Sequence, residues 1–176
     1  MGNWIAQRNE LLGKSVIKNL AKRNMEGYYC ATKEEALAKA LELIPETDVV
    51  AWGGSVTIEE IGLLAAVKAR NPVIDRDTAA TMEEKIELMR KGLTCDTFLM
   101  STNAMSEDGI LVNIDGNGNR VASLIFGPKQ VVIIAGVNKI AKDLDSAIAR
   151  VRSNAAPINA QRFVGISTPC AKTGVC

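Results

Sequence analysis

The stretch DVVAWGGSVTIEE (48–60) decides the fold class, because one reading of it contains a buried strand, a glycine turn and a helix start. DVVAW is a short apolar run of the kind that fills a sheet covered on both faces. Gly53 and Gly54 allow a tight reversal, and Thr57-Ile-Glu-Glu60 has the spacing of a capping box, in which a hydroxyl and a carboxylate satisfy the free amides of a first helical turn. The helix it opens is expected to run to about Arg70. The same box recurs at Thr32-Lys-Glu-Glu35, before a helix ended by Pro45, and at Thr81-Met-Glu-Glu84, before one ending in Lys91-Gly92. PVID (72–75) and DTFLMS (96–101) read as further buried strands between these helices. Strand and helix therefore alternate, which predicts an α/β layer fold around a mostly parallel sheet.

Outward from this centre the pattern changes. Residues 3–23 carry Trp4, Leu11, Leu12, Val16 and Leu20 at helical spacing, with polar residues opposite, and predict a long amphipathic helix. EGYYCA (26–31) reads as a short β-rich run. ILVNID (110–115) and RVASLIF (120–126) flank Gly116-Asn-Gly-Asn119, and predict an inserted antiparallel hairpin. QVVIIAG (130–136) returns to a buried strand. Asp143 to Asn154 predicts a helix with Leu144, Ile148 and Val151 inward, and Pro157 starts another that runs through Phe163 and ends at Gly165. Residues 1–165 read as one domain and 166–176 as a cysteine-containing tail.

Composition removes several function classes. The 176 residues hold 21 Lys+Arg against 20 Asp+Glu and no histidine. The net charge of +1 supplies no field for nucleic acid or an anionic membrane, and two Trp, two Tyr and three Phe leave little to stack on bases. Without histidine, any chemistry falls to carboxylates, Lys, Cys, Arg, Asn or the backbone. No apolar run approaches the ~18 residues of a membrane span, and the polar start MGNWIAQRNELLGK (1–14) is unlike a signal peptide, so a cytoplasmic protein is expected. Cys30 and Cys95 lie in or beside apolar runs and read as buried thiols. Cys170 and Cys176 are too few to close a metal or cluster site, so no metal ligands are assigned and the cofactor stays unknown.

Ligands of open α/β sheets bind beyond the carboxyl ends of the strands, which directs attention to the loops there. Gly53, Gly54, Ser55 and Thr57 would seat an anion at a helix start, although they equally make a plain strand-to-helix turn with Thr57 as its cap. The loop from Ser101 to Gly109 brings Asn103 and the adjacent carboxylates Glu107 and Asp108, one of which would serve as a base unless the loop is an Asx turn. Asn113, Asp115 and Arg120 form a third polar group, with Arg120 suited to pair with a carboxylate and a solvated turn as the alternative. Lys139, after the last sheet strand, is a fourth candidate for anion binding, against the plainer reading of a solvated lysine.

GGSVTIEEIGL (53–63), the long run STNAMSEDGILVNIDGNGNRVASLIFGPKQVVIIAGVNKIAKDLDSAIARVRSNAAPINAQR (101–162) and TPCAKTGVC (168–176) closely resemble the LUD domain, the lactate-utilisation family. The resemblance implies a Rossmann-like fold similar to ribose-5-phosphate and sugar-phosphate isomerases and coenzyme A transferases, in which the first Gly-Ser/Thr loop holds phosphate or a thioester. It implies a role in oxidising lactate to pyruvate beside iron–sulfur partner subunits, with a hydroxy or keto acid as the small anionic metabolite bound. It further implies that the Cys170 and Cys176 pair is the front of a longer cysteine motif. A non-catalytic assembly subunit docking iron–sulfur partners, or an isomerase or acyl-CoA transferase, are the rival expectations. Self-association is left open; neither nucleic acid nor a membrane is an expected partner.

Overall fold

The computed structural model describes residues 3–163, 165 and 167–176; the expectations for Met1 and Gly2, and the start of the tail at Ile166, lie outside the described residues. In chain order the helices and strands are α1 (Trp4–Ala21), α2 (Lys33–Leu43), β1 (Val50–Trp52), α3 (Val56–Glu60), α4 (Leu63–Arg70), β2 (Val73–Ile74), α5 (Met82–Lys91), β3 (Thr97–Met100), β4 (Ala104–Ser106), β5 (Leu111–Val112), α6 (Asn119–Ile125), β6 (Gln130–Ile133), β7 (Ile140–Ala141), α7 (Leu144–Arg150), α8 (Ala156–Ala160) and α9 (Pro169–Thr173). They separate into two compact units. One holds residues 1–29, 102–114 and 136–176, and the other residues 30–101 and 115–135.

The second unit is built on a parallel sheet ordered β2-β1-β3-β6. Its register pairs Val50 with Val73 and Thr97, and Leu99 with Val132. Because side chains alternate along a strand, Val50, Trp52, Leu99 and Val132 fall in one core with Ala40 and Ile44 of the α2 segment, Ile58 of α3 and Leu63 and Val67 of α4. Ala51, Phe98 and Met100 pack with Cys95 on the opposite face. Both faces are covered, which is why these strands read as unbroken apolar runs.

Two of the three capping boxes form as expected. Thr32 Oγ1 accepts from the Glu35 amide at 3.2 Å while the Glu35 carboxylate accepts from Ala31 at 2.7 Å, and Thr81 and Glu84 repeat the arrangement at 3.1 and 2.8 Å. The third shifts by two residues. Ser55, with extended backbone at φ −151°, caps α3 instead of Thr57, and the predicted single helix to Arg70 is broken at Gly62, whose φ of +78° is open to glycine.

In the other unit α1 forms nearly over its predicted length. The β-rich run 26–31 forms no strand: Tyr29 packs on α1 instead, its ring so near Gly13 that a Cβ there would lie 2.5 Å from Cδ2. Here β4 pairs antiparallel with β5 and parallel with β7. The antiparallel pair thus lies at 104–112, not at 110–126, and RVASLIF is the helix α6. Gly118, at φ +80°, turns the chain into that helix, and tertiary packing overrides the β-rich composition. Ala104, Ala147 and Val151 form the small core of this unit, whereas Leu144 is exposed. A π turn at Val151–Ala155 joins α7 to α8, so Pro157 sits in the first turn of α8, inside a continuous helical run.

Candidate anion-binding site

The chain passes from β1 to β2 on one side of β1 and then crosses to β3 on the other, so the carboxyl ends of β1 and β3 meet where the winding reverses. That is the place where open α/β sheets hold ligands. The loops after β1, β2 and β3 leave the sheet at this end. After β1 the Gly53 amide donates to Leu99 O at 2.9 Å, and Ser55 Oγ accepts from the Ile58 amide at 3.4 Å. Gly53 and Ser55 are buried and Gly54 is exposed. Thr57 lies in the first turn of α3, where its carbonyl accepts from Ile61 at 3.3 Å.

Gly53 is required by what lies against it. A Cβ at this position would stand 2.9 Å from Arg120 Cδ, so the arginine stem occupies the space a side chain would need. Arg120 itself is in the first turn of α6. Its guanidinium donates to Ser101 O, after β3, at 3.1 Å, and its amide donates to Asp115 Oδ2 at 2.8 Å; Val121 donates to the same oxygen at 3.0 Å. Burial pushes the Arg120 guanidinium below its usual range, and Asp115 opposes that shift. Asp115 thus supports α6 and its arginine, where a solvated turn was the alternative expectation.

The loop after β2 adds a residue that sequence reasoning missed. Arg76 lies directly beyond Ile74-Asp75, and a Cβ at Gly54 would come within 2.9 Å of its Nη2. Its side chain is 15% exposed, its Nε is buried with no hydrogen-bond partner, and the nearest ion-pair oxygen, Asp77 Oδ1, is 3.8 Å from that nitrogen. Asp77 is engaged elsewhere: its Oδ2 accepts from Trp52 Nε1 at 3.3 Å, and Lys85 Nζ stands 3.6 Å from Oδ1. Lys68 Nζ pairs with Asp75 at 2.6 Å and lies 5.1 Å from the centre of the Trp52 ring. The rule that directed attention to loops after strands applies to PVIDR as well, so the signal for Arg76 was present.

The remaining candidates belong to the first unit. Asn103 and Asn113 clasp the open end of the β4–β5 pair: Asn103 Oδ1 accepts from the Ile114 amide at 3.0 Å, and Asn113 Oδ1 from the Asn103 amide at 3.4 Å. Arg150 donates to Asn103 O at 2.5 Å and to Asn138 O at 3.1 Å. Asp108 accepts from the Ser106 hydroxyl at 2.5 Å and from Arg23 at 2.9 Å. The Ser106 bond foremost, with Arg23 beside it, holds the Asp108 carboxyl below the usual range, which makes it a weak base. Glu107 is exposed, and its main chain is tied to Asn19 Nδ2 and to Ala141 O, each at 2.9 Å. Gly109, at φ +85°, lets the turn approach the α1 backbone, with Leu20 N 3.1 Å from where a Cβ would be. Lys139 ends a 3₁₀ turn, Val137–Lys139, and is half-buried.

Comparison with known families settles the membership. The family model of the LUD domain matches residues 13–175. The chain belongs to the LUD domain family. The match extends from within α1 to beyond α9 and so takes in both units of the LUD domain. Neither the curated proteins nor the solved structures searched contain a match. Among the cysteines of this LUD domain, burial pushes the Cys95 thiol up to about 11, while Cys30, expected to be buried, is half-buried and its thiol is raised by partial desolvation. Cys170 Sγ lies 3.4 Å from Thr168 Oγ1, and Cys176 is exposed. Among the described residues of the LUD domain no three Cys, Asp or Glu groups stand together as metal ligands, and no helix is long and apolar enough to cross a membrane.

Proposed function

We propose that this LUD domain binds a small carboxylate metabolite, a hydroxy or keto acid, at the Gly53–Thr57 turn, and that it does so in lactate or organic-acid utilisation beside iron–sulfur partner subunits. The observation that carries this reading is the pair of arginines drawn to the turn at the switch point. Arg120 bridges the ends of β1 and β3, and Arg76 reaches Gly54 from the end of β2. Guanidinium groups recognise planar carboxylates through parallel N–H bonds, and a site poor in side-chain bulk lets such an anion approach the backbone. Lactate utilisation enters through family membership.

Calorimetric titration with lactate and pyruvate tests the reading, together with thermal melts. A ligand that binds the native state alone stabilises it by about 2.7 kcal/mol at a hundredfold excess over Kd. The expected result is saturable heat and a melting temperature that climbs with organic-acid concentration but not with sodium chloride. If neither acid moves the melt at millimolar concentration, the reading is wrong.

A second reading, an assembly subunit, draws on Ile125 and Phe126, which are 77% and 87% exposed at the end of α6. Adjacent apolar side chains this open to water fit a protein contact. Replacing both by Ser would then abolish co-purification with iron–sulfur subunits while leaving acid binding intact.

A further inference from the structure

Arg76 is an anomaly of charge. Most of its side chain is out of water, yet among the described residues its buried Nε has no hydrogen-bond partner: the ion-pair contact to Asp77 Oδ1, at 3.8 Å, is too long for one. A cation so placed normally has its five donors satisfied, since an unmet buried donor is destabilising. Asp77 cannot turn to meet it without leaving Trp52 and Lys85. The direction left open is toward Gly54, an exposed position without a side chain, beside which Nη2 lies.

We infer that Arg76 is the residue that recognises the ligand's carboxylate, and that the site prefers a singly charged carboxylate to a doubly charged phosphate. This rests on the anion-binding reading and deepens it. The charge preference follows from the neighbours. Lys68 faces Asp75, Arg76 and Lys85 face Asp77, and the amide and field of Arg120 face Asp115. Arg76, whose ion-pair distance is the longest of these, brings its positive charge to the turn, and a monocarboxylate neutralises that charge where a phosphate dianion exceeds it. The donors Arg76 offers also suit a planar oxyanion, held side by side.

An arginine that waits for a ligand differs measurably from one that braces the fold. Removing a bracing arginine lowers the melting temperature of the unliganded protein; removing one whose buried Nε is unbonded relieves a desolvated charge. The test uses the full chain with Arg76→Gln and Arg76→Lys, titrated with lactate, pyruvate and inorganic phosphate at pH 6 and pH 8, beside melts without ligand. Arg76→Gln is expected to weaken lactate or pyruvate binding by about tenfold or more, with the unliganded melting temperature unchanged or raised. Arg76→Lys, a point charge without the planar fork, falls between. Wild-type protein binds phosphate less tightly than lactate, and less tightly again at pH 8, where phosphate is mostly the dianion.

Unchanged lactate affinity in Arg76→Gln, while the wild type binds, overturns the assignment and leaves the anion-binding reading standing. A variant that loses stability or fails to fold also overturns it, since Arg76 is then a structural brace. Phosphate bound more tightly than lactate at pH 8 overturns the charge preference. Absence of any binding by the wild type removes the anion-binding reading, and this inference with it.

Discussion

Asn71 follows α4 and holds the loop that leads into β1. Its Nδ2 lies 2.8 Å from Pro45 O and 3.2 Å from both Glu46 O and Asp48 O, while its Oδ1 accepts from Arg70 Nε at 3.0 Å. Asn71 is 7% exposed. Asn71→Ala keeps the extended backbone and its amide bond to Val67 but removes all of these. Two amide hydrogens serve at most two of the three carbonyls well, each net bond is worth about 0.5–1.5 kcal/mol, and the arginine bond adds a similar amount. Water reaches part of the 45–48 loop, so the expected loss is about 2–3 kcal/mol. For a chain of this size that lowers the melting temperature by roughly 5–10 °C. Asn71→Asp is the sharper control. It keeps an oxygen for Arg70 Nε but turns the amide that served three carbonyl oxygens into a second oxygen facing them, so it should be destabilising too although the arginine bond survives. Circular dichroism melts read both effects. A loss under about 0.5 kcal/mol for Asn71→Ala, the range of ordinary surface changes, refutes the reasoning.

Other expectations follow from single contacts. Leu99→Ala, at a fully buried position in β3, should cost about 2–5 kcal/mol, measured by urea unfolding. Gly127→Ala combines φ +133° with a Cβ driven into Leu93 O, so it should be among the most destabilising alanine changes and show it as poor soluble yield. With a thiol reagent at pH 8, Cys176 should react at once and Cys95 only on unfolding, because burial both shields Cys95 and holds its thiol near 11. Asp108 titrates low in the folded state, so its contribution is present above the unfolded value near ~4 and fades as pH falls through the folded one. Asp108→Asn should therefore flatten the acid limb of a stability profile below about pH 4, and an unchanged limb would show that the Ser106 and Arg23 contacts contribute nothing.

What could be read beforehand divides along physical lines. β1, β3 and β6 were legible because a doubly covered parallel strand is apolar along most of its length, and α2 and α5 because Thr-x-x-Glu boxes are local chemistry that survives any packing. α6 was not, since Val121, Leu124, Ile125 and Phe126 favour strands on composition and only the left-handed Gly118 and the Asp115 cap turn the segment helical. At the site, Gly53, Gly54 and Ser55 could be placed at the strand end from their spacing. That Arg120 is buried across two strand ends depends on the order in which the strands are laid side by side, which no local pattern encodes. Arg76 was overlooked because an arginine after a strand looks like an ordinary surface charge until its buried, unbonded Nε is visible.

The two tryptophans give the molecule its own optical readout. Trp4, on α1, is 74% exposed, while Trp52, on β1, is 3% exposed, lies near a lysine ammonium and donates to Asp77. Each belongs to a different unit. Emission from Trp4 should be red-shifted and open to iodide, and emission from Trp52 blue-shifted and protected. Trp4→Phe leaves a chain whose fluorescence reports only from the parallel sheet, one residue before the Gly53 turn. Its unfolding curve, set beside that of the reciprocal Trp52→Phe chain, shows whether the two units come apart in one step or in two.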